Sequence, residues 1–145
     1  MVLLLERRFK VKVPLEQVWA HLQKVEQWPT WARHIRSIEL RPPGPLVSTS
    51  EGLIRLTTVM SSTFRMEQLN IGTNWKWAGP FLWIRVHYDH QFSRIGLEES
   101  EIGFVLEGEG FAVRVFGRLF AAIYARNLDR AIPRLIAELE TTVEK

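Results

Sequence analysis

One segment of the chain places two polar side chains that can do chemistry on an otherwise apolar strand face. Tyr88 and His90 are two positions apart in residues 82 to 94, which we predict to form a β-strand, so both side chains point to the same side. A histidine can act as a general acid or base near neutral pH, and a tyrosine hydroxyl can orient a ligand hydroxyl or carbonyl. We predict that this side faces inward and forms the wall of a ligand cavity. Its remaining positions are apolar: Ile84, Val86 and Phe92.

Two roles fit His90. As a catalytic residue it would transfer a proton to or from a bound substrate, with Tyr88 beside it. As a structural histidine it would be hydrogen-bonded inside the protein, because buried polar groups are usually satisfied internally. His90 and Tyr88 are therefore candidate catalytic residues and also candidate ligand contacts.

Arg7 is the third candidate catalytic residue, since it lies on the inward side of the first predicted strand. Its guanidinium could polarise a substrate carbonyl or pair with an acidic ligand. Burying it without a partner would be costly, so an internal carboxylate such as Glu107 or Glu109 is a further candidate partner. The alternative is that Arg7 lies near the wet end of the strand and extends its charged group into water.

Aromatic side chains are more numerous than a small core requires. Six Trp and eight Phe occur in 145 residues, and rings of this size are costly to leave in water. We expect some of them to line the cavity or its entrance, whereas Trp19 lies on the core face of a short helix. On the predicted C-terminal helix, Tyr124 and Asn127 lie one turn apart near the apolar face. The complete set of predicted ligand contacts is Trp31, Trp75, Trp77, Ile84, Val86, Tyr88, His90, Phe92, Phe116, Phe120, Tyr124 and Asn127.

The sequence contains no recognisable metal or cofactor motif. The chain has no cysteine, His21 and His34 are far apart, and His87 and His90 point to opposite sides of one strand. A phosphate-binding glycine loop and a Gly-x-Ser-x-Gly motif are also missing from the sequence. We therefore expect no metal and no cofactor.

Alternating segments bounded by turns predict an antiparallel sheet of about seven strands. In residues 3 to 13, apolar and charged side chains alternate, as in a half-buried strand. Turn-forming residues at Arg41 to Pro45 and at Gly79-Pro80 separate later segments. The predicted strands are residues 3 to 13, 35 to 41, 52 to 59, 63 to 70, 74 to 78, 82 to 94 and 99 to 109.

Two short helices are predicted after the first strand. Pro14 ends that strand and suits the first turn of a helix over about residues 15 to 24. Because Pro29 disfavours the helical conformation of the residue before it, a second short helix is predicted to start near Pro29 and to carry Trp31 and Ala32.

A long helix is predicted at the C-terminal end. Apolar residues recur every three or four positions after Gly110, which predicts a helix over about residues 112 to 143, kinked by Pro133. A sheet with one wet face must bury its other face, and the last helix is the element long enough to cover it. We therefore predict an α+β fold in which a curved antiparallel sheet wraps around this helix and leaves a cavity between them.

Three motifs and the long terminal helix follow one another along nearly the whole chain: Pro14-x-x-x-Val18-Trp19-x-x-Leu22, Trp28-Pro29-x-Trp31 and His90-x-Phe92. In this order they resemble the START-like polyketide cyclase/dehydrase and lipid transport superfamily (SRPBCC). The resemblance implies the helix-grip fold and a deep cavity for lipids, sterols, polyketides or other apolar ligands, with the short-helix insert beside the cavity mouth. It implies little about chemistry, because the superfamily includes cyclases, dehydratases, carriers, hormone receptors and activators of chaperone ATPases. Where the family commonly has a Gly-Thr pair, this chain has Glu99-Ser100-Glu101-Ile102.

Length and composition are those of an ordinary globular protein. With 145 residues, of which 46% are hydrophobic and 24% charged, the chain is expected to form one ligand-binding domain over residues 1 to 145. The apolar run at residues 1 to 5 is too short for a signal peptide or a membrane span. A cytoplasmic location without stable membrane insertion is therefore expected.

Basic residues are spread along the chain instead of being concentrated in one tract. The net charge is +3, and this distribution does not favour nucleic-acid binding. Arginines recur at multiples of four along the predicted last helix: Arg114, Arg118, Arg126, Arg130 and Arg134. Most such rows of arginines on a helix are simply exposed to solvent. A weak attraction to anionic membrane surfaces would suit a lipid carrier, although Asp129, Glu138 and Glu140 reduce it.

These observations support three hypotheses about function. The leading one is non-catalytic binding or transport of a hydrophobic small molecule, such as a lipid or a polyketide-like compound, in the internal cavity. The alternative is a polyketide cyclase or dehydratase that uses His90, Tyr88 and Arg7 as acid/base and carbonyl-polarising groups. A third is a protein-interaction module that stimulates a partner ATPase through its outer surface. The sequence is compatible with a monomer or a homodimer.

Overall fold

The computed structural model describes residues 1–143, so Glu144 and Lys145 of the expected domain lie outside the described residues. Within that range the chain forms seven strands, two α-helices and one 3₁₀ helix. In chain order they are β1 (Val2–Val11), α1 (Leu15–Leu22), the 3₁₀ helix (Val25–Thr30), β2 (Ile35–Arg41), β3 (Glu51–Leu56), β4 (Ser61–Asn70), β5 (Asn74–Phe81), β6 (Ile84–Gly96), β7 (Glu99–Glu109) and α2 (Val113–Val143).

The strands form a sheet in the order β1-β7-β6-β5-β4-β3-β2, and every pair of neighbours is antiparallel. From β2 to β7 each strand pairs with the next one in sequence, which confirms the predicted meander. The two edge strands are β1 and β2, and α1 with the 3₁₀ helix connects them. Together with the long terminal helix, this arrangement confirms the predicted α+β helix-grip fold.

One face of the sheet is buried, and β6 shows the alternation that sets this face. Val86 and His90 are buried whereas Arg85 is exposed, as expected for side chains that point alternately to opposite sides. The register of β5 against β6 pairs Trp75 with His90 and Trp77 with Tyr88, so these side chains belong to the inward face. Buried residues of α2 at helical spacing also belong to the core: Leu128, Ala131, Leu135 and Leu139.

The second short helix begins four residues earlier than predicted. It runs from Val25 to Thr30 with Pro29 inside it, so the prediction that it starts near Pro29 was wrong. Pro29 removes one backbone donor, which a short 3₁₀ segment tolerates because it needs few internal hydrogen bonds. Trp31 and Ala32 follow the helix, and their backbone N–H groups donate to the carbonyl of Trp28.

The predicted turn at Gly79-Pro80 was also wrong. Both residues lie inside β5, and the chain reverses at Leu82, whose φ of 54° is the left-handed conformation that tight hairpin turns require. Gly79 has a different role, since a Cβ at this position would lie 2.1 Å from the carbonyl oxygen of Thr63 on β4. The glycine thus permits close approach of two strands instead of a turn.

The long helix α2 continues through Pro133 from Val113 to Val143. Its start and end lie within one residue of the predicted bounds, and strands β2 and β7 match the predicted residues. In the part of the chain that the structure describes, no helix is long and apolar enough to cross a lipid bilayer.

Candidate functional site

A cavity of about 400 Å³ lies between the sheet and the N-terminal half of α2. Strands β3 to β6 supply most of one side, and the loop between β3 and β4 closes another. From the helical parts of the chain, Trp28, Phe120, Ile123, Tyr124 and Asn127 line it. Within residues 1–143, no Lys, Arg, Asp or Glu side chain lines this cavity. We call it the main cavity.

Aromatic rings form much of the apolar lining. Phe120 on α2 lies with its ring centroid 4.9 Å from that of Phe81 at the end of β5. One helical turn later, Tyr124 stacks on Phe120 at 5.3 Å. Trp77 lines the opposite part of the cavity beside Phe64, with ring centroids 4.3 Å apart. A ligand in the main cavity would therefore be held mainly by aromatic contact.

Two tyrosines provide the polar groups of this aromatic region. The rings of Tyr88 and Tyr124 have centroids 5.8 Å apart, and both residues line the main cavity. Burial raises the pKa of Tyr124 to about 12, and burial followed by the charge of Tyr124 raises the pKa of Tyr88 as well. Both phenols are therefore neutral at physiological pH. Neither hydroxyl is hydrogen-bonded to another group in the described residues, so both are available to a ligand.

His90 occupies a different position. Its ring packs among tryptophans, with its centroid 4.7 Å from that of Trp75 and 4.8 Å from that of Trp77. Its Nδ1 lies 3.1 Å from the backbone oxygen of Trp75, which can only accept, so Nδ1 carries the hydrogen and Nε2 is an acceptor. Burial lowers the pKa of His90 to about 4, against smaller opposing effects of that hydrogen bond and of Asp89. The ring is thus neutral, internally bonded and weakly basic.

A second cavity of about 20 Å³ adjoins the main cavity and is lined by His90. This inner cavity has room for about one water molecule. Five residues belong to the linings of both cavities: Trp28, His34, Ile35, Tyr88 and Tyr124. His90 therefore faces the inner cavity, on the far side of residues that face the main one.

The predicted ligand contacts divide into three groups. Five of them line the main cavity: Trp77, Tyr88, Phe120, Tyr124 and Asn127. Trp31 and His90 line the inner cavity, which Tyr88 and Tyr124 also line. The other predicted contacts line neither cavity: Trp75, Ile84, Val86, Phe92 and Phe116.

Packing explains why the third group lies elsewhere. Trp75 is fully buried between other rings, with Trp19 and Phe92 both at 5.3 Å from it. The indole of Trp19 fills the space over this part of the sheet, as expected for a core residue. Phe116 instead packs against Trp83 at the surface, with ring centroids 4.9 Å apart. Around Trp75 the inward face of the sheet is thus covered by α1.

Arg7 lies away from both cavities. Its Nε donates to Asp129 on α2 at 2.9 Å, and its side chain is 36% exposed. The two candidate partners, Glu107 and Glu109, do not bind Arg7, because Leu106 and Gly108 occupy the buried face of β7 and the two glutamates point to the other side. Glu109 instead pairs with His87 on the outer face. The geometry gives Arg7 a structural ion pair and no contact with a cavity ligand.

Sequence reasoning missed several polar residues of the main cavity. His34 lines both cavities, its ring meets that of Tyr124 edge-on at 6.4 Å, and burial lowers its pKa. In the sequence it was considered as a metal ligand alone, although it stands directly before a predicted strand that begins with apolar Ile35. A cluster of hydroxyl side chains around the β3–β4 loop was not predicted to line a cavity: Thr57, Thr58, Ser61, Ser62 and Thr63.

Among residues 1–143, no group of three or more His, Cys, Asp or Glu side chains is arranged to hold a metal ion. Besides the indoles of Trp28 and Trp77, the polar side-chain groups that line the main cavity are hydroxyls, one amide and one imidazole, which suit hydrogen bonds with a neutral ligand.

Solved structures with similar folds include proteins described as aromatase/cyclases. The Zhui aromatase/cyclase from Streptomyces superposes with a TM-score of 0.76 and 13% identity, covering 96% of this chain and 94% of that one. A START superfamily protein from Mycobacterium smegmatis has a TM-score of 0.73 and 10% identity, with coverages of 95% and 97%. The di-domain ARO/CYC protein StfQ of the steffimycin biosynthetic pathway has a TM-score of 0.73 and 11% identity, covering 99% of this chain and 53% of that one. At such identities the likeness shows a shared fold.

Sequence comparison gives the family directly. Among proteins of curated function, none matches the chain significantly. A family model described as polyketide cyclase / dehydrase and lipid transport matches residues 4–144, nearly the whole chain. The protein therefore belongs to the polyketide cyclase/dehydrase and lipid transport family, within the START-like superfamily that its motifs resemble.

Proposed function

We propose that this protein binds a neutral hydrophobic small molecule, such as a lipid or a polyketide-like compound, in the main cavity. The observation that carries the proposal is a cavity of about 400 Å³ with an aromatic lining, no charged lining residue in the described part of the chain, and two tyrosine hydroxyls without protein partners. Its volume falls within the roughly 300 to 1,000 Å³ of ordinary small-molecule sites.

The lining favours a particular ligand chemistry. An ionised ligand would lose its hydration without gaining a counter-ion, which is strongly unfavourable. A neutral ligand with one or two hydroxyl or carbonyl oxygens would satisfy Tyr88 and Tyr124 while its apolar surface contacts Phe120 and Trp77. The expected ligand is therefore mostly apolar with a few oxygen atoms at one end.

The direct test is organic extraction of the purified protein followed by mass spectrometry. A neutral apolar compound should co-purify, or a neutral probe such as 2-naphthol should raise the melting temperature where its carboxylate counterpart 2-naphthoate does not. Asn127→Trp places a large ring in the main cavity and should abolish both effects. Its control is Arg126→Trp, which places the same ring on the neighbouring exposed position.

If the cavity carries no ligand and no neutral apolar probe stabilises the protein, the binding proposal is wrong. Equal binding by the Asn127→Trp and Arg126→Trp variants would likewise place the ligand elsewhere.

A second candidate function is cyclisation or dehydration of a bound polyketide-like substrate. The observation that favours it is the placement of two neutral phenols and His34 around one end of the main cavity, where a phenol could donate a hydrogen bond to a substrate carbonyl. His90 is a less suitable base, because its pKa of about 4 makes it a weak proton acceptor. Incubation with a candidate substrate, followed by chromatography and mass analysis, tests this function: dehydration lowers the mass by one water, cyclisation alone changes the retention time at unchanged mass, and a bound ligand is recovered unchanged. A His90→Ala variant that retains the wild-type turnover rate would remove His90 from the catalytic set.

A further inference from the structure

An exposed apolar surface lies beside the mouth of the main cavity. It combines the β5–β6 turn with the segment that leads into α2 and the first turns of that helix. Val115, Leu119 and Ile123 follow one another at four-residue intervals, so they lie along one side of α2. We call this surface the docking ridge, and its residues are Leu82, Trp83, Phe111, Val115, Leu119 and Ile123.

The side chains of the docking ridge are more exposed than is usual for large apolar residues. The six tryptophans of the chain all lie in the described residues, and five of them are at most 8% exposed, whereas Trp83 is 62% exposed. Phe111 is 91% exposed and Val115 is 69% exposed. Contiguous apolar surface of this kind marks an interaction site, because leaving it in water is unfavourable.

Arginines flank this ridge on the same helix. Arg114 and Arg118 each precede a ridge residue by one position, and Arg126 follows them two turns later. All three are exposed, and none forms an ion pair with a group in residues 1–143. No Asp or Glu occurs between Gly110 and Leu128, so the positive charge of this helix segment is undiluted.

The ridge is continuous with the main cavity. Leu82 and Ile123 are half-exposed members of the ridge, and both also line the cavity. Whatever covers the ridge therefore lies against the opening through which a ligand would pass.

The arginines beside the docking ridge distinguish between two possible binding partners. A second copy of the chain, related by a two-fold axis through this ridge, would bring Arg114 and Arg118 of both copies together, which is unfavourable. An anionic lipid surface is complementary, since arginines attract its phosphates while Trp, Phe and Leu side chains enter the interfacial region. We propose that the docking ridge binds reversibly to the surface of an anionic lipid bilayer, with Arg114 and Arg118 on the headgroups.

This binding is peripheral and holds the cavity mouth against the bilayer. It goes beyond the proposed function, since it needs no ligand in the cavity. An aromatic side chain at the headgroup level and basic residues beside it are the usual combination in such surfaces.

Co-sedimentation with vesicles tests the proposal. The wild-type protein should bind vesicles of phosphatidylcholine and phosphatidylglycerol, bind vesicles of phosphatidylcholine alone weakly, and detach at high salt. On binding, the tryptophan emission should shift to shorter wavelength, because Trp83 enters a less polar environment while the five buried tryptophans are unaffected.

Variants separate the two contributions. Replacing both arginines, Arg114→Gln with Arg118→Gln, should weaken partition into anionic vesicles roughly 25-fold, about fivefold for each charge. Trp83→Ser should weaken it about tenfold and remove the emission shift. The control is Leu97→Ser, since Leu97 is 85% exposed but lies in the β6–β7 turn, at the other end of β6 from Trp83. All four substituted side chains are exposed, and circular dichroism verifies that each variant is folded.

Three results would overturn the proposal. One is absence of co-sedimentation with anionic vesicles. Another is equal partition of wild type and the Trp83→Ser variant. The third is a dimer in size-exclusion chromatography that Trp83→Ser dissociates, which would make the ridge a self-association surface. Wild-type protein that binds 2-naphthol but not anionic vesicles would contradict this inference and leave the proposed function standing. Wild-type protein that binds anionic vesicles but not 2-naphthol would do the opposite.

Discussion

The hydroxyl-bearing rings of Tyr88 and Tyr124 approach to a centroid distance of 5.8 Å although one belongs to β6 and the other to α2. The sheet and α2 thus contribute one phenol each to the same end of the main cavity. Because burial raises the pKa of both, each presents a neutral hydroxyl that can donate a hydrogen bond. A ligand oxygen placed between them would contact both halves of the fold.

We predict that Tyr88→Phe and Tyr124→Phe weaken ligand binding without a matching loss of stability. Each removes a hydroxyl that has no protein partner in the described residues, so the folded protein loses no internal hydrogen bond. Affinity for a ligand that accepts a hydrogen bond should fall about twofold to twelvefold, as expected for about 0.5 to 1.5 kcal/mol. Titration with 2-naphthol measures the first effect and urea unfolding the second. Unchanged affinity in both variants would mean that neither hydroxyl contacts the ligand.

We predict that Trp28→Phe destabilises the protein more than Trp75→Phe. Both are buried, but the Nε1 of Trp28 donates to the carbonyl of Leu22 at 2.8 Å, whereas the Nε1 of Trp75 is buried without a hydrogen-bond partner in the described residues. Both substitutions remove the same side-chain volume, but only Trp28→Phe removes a hydrogen bond. The difference should amount to roughly 1 to 2 kcal/mol of unfolding free energy. Trp28→Phe leaves the buried carbonyl of Leu22 without its donor, whereas Trp75→Phe removes a donor that has no partner in the described residues. Urea unfolding of the pair measures it, and equal losses would contradict the assignment.

The inward faces of β5 and β6 show which features can be predicted from sequence. The alternation in β6 correctly placed Tyr88 and His90 on the inward face, because side-chain direction depends only on strand periodicity. The same alternation could not distinguish Trp75, which α1 covers with Trp19, from Trp77, which lines the main cavity. Whether a position on the inward face is packed or empty depends on which element lies above it.

Local sequence signals were also insufficient where a contact with another strand determines the role of a residue. Gly79-Pro80 has the composition of a turn, yet the glycine is needed because β4 approaches it closely. His87, expected on the outer face, is 5% exposed there because Glu67 and Glu109 both bond to its ring. Neither contact is encoded within a few residues of the position concerned, so neither periodicity nor turn propensity could reveal it.

We predict that His90 makes stability rise with pH between about 4 and 6.5. Its pKa is about 4 in the folded protein, against 6.5 for an unperturbed histidine, so the unfolded state binds more protons in this window. The contribution of His90 is fully present above pH 6.5 and is lost progressively as the pH falls toward 4, with a total on the order of 3 kcal/mol. His90→Asn does not titrate there and should show a shallower dependence in urea unfolding across this range. Some dependence of stability on pH should remain in the His90→Asn variant, because burial also lowers the pKa of His34. Identical slopes in wild type and variant would show that His90 titrates normally.

The last prediction concerns the close approach of β4 and β5. Gly79→Ala would place a methyl group 2.1 Å from the carbonyl oxygen of Thr63, a separation that real Cβ atoms do not adopt, so the two strands must move apart. Overpacking of this kind costs about 1 to 3 kcal/mol, and loss of the strand contact can add to it. Gly96→Ala is the matched control, because no heavy atom lies within 4 Å of the Cβ position there and its φ is not in the left-handed region. That variant should be neutral or gain up to about 1 kcal/mol through the lower entropy of its unfolded chain. Thermal unfolding of both variants tests this prediction. Comparable melting temperatures would mean that Gly79 does not set the β4–β5 spacing.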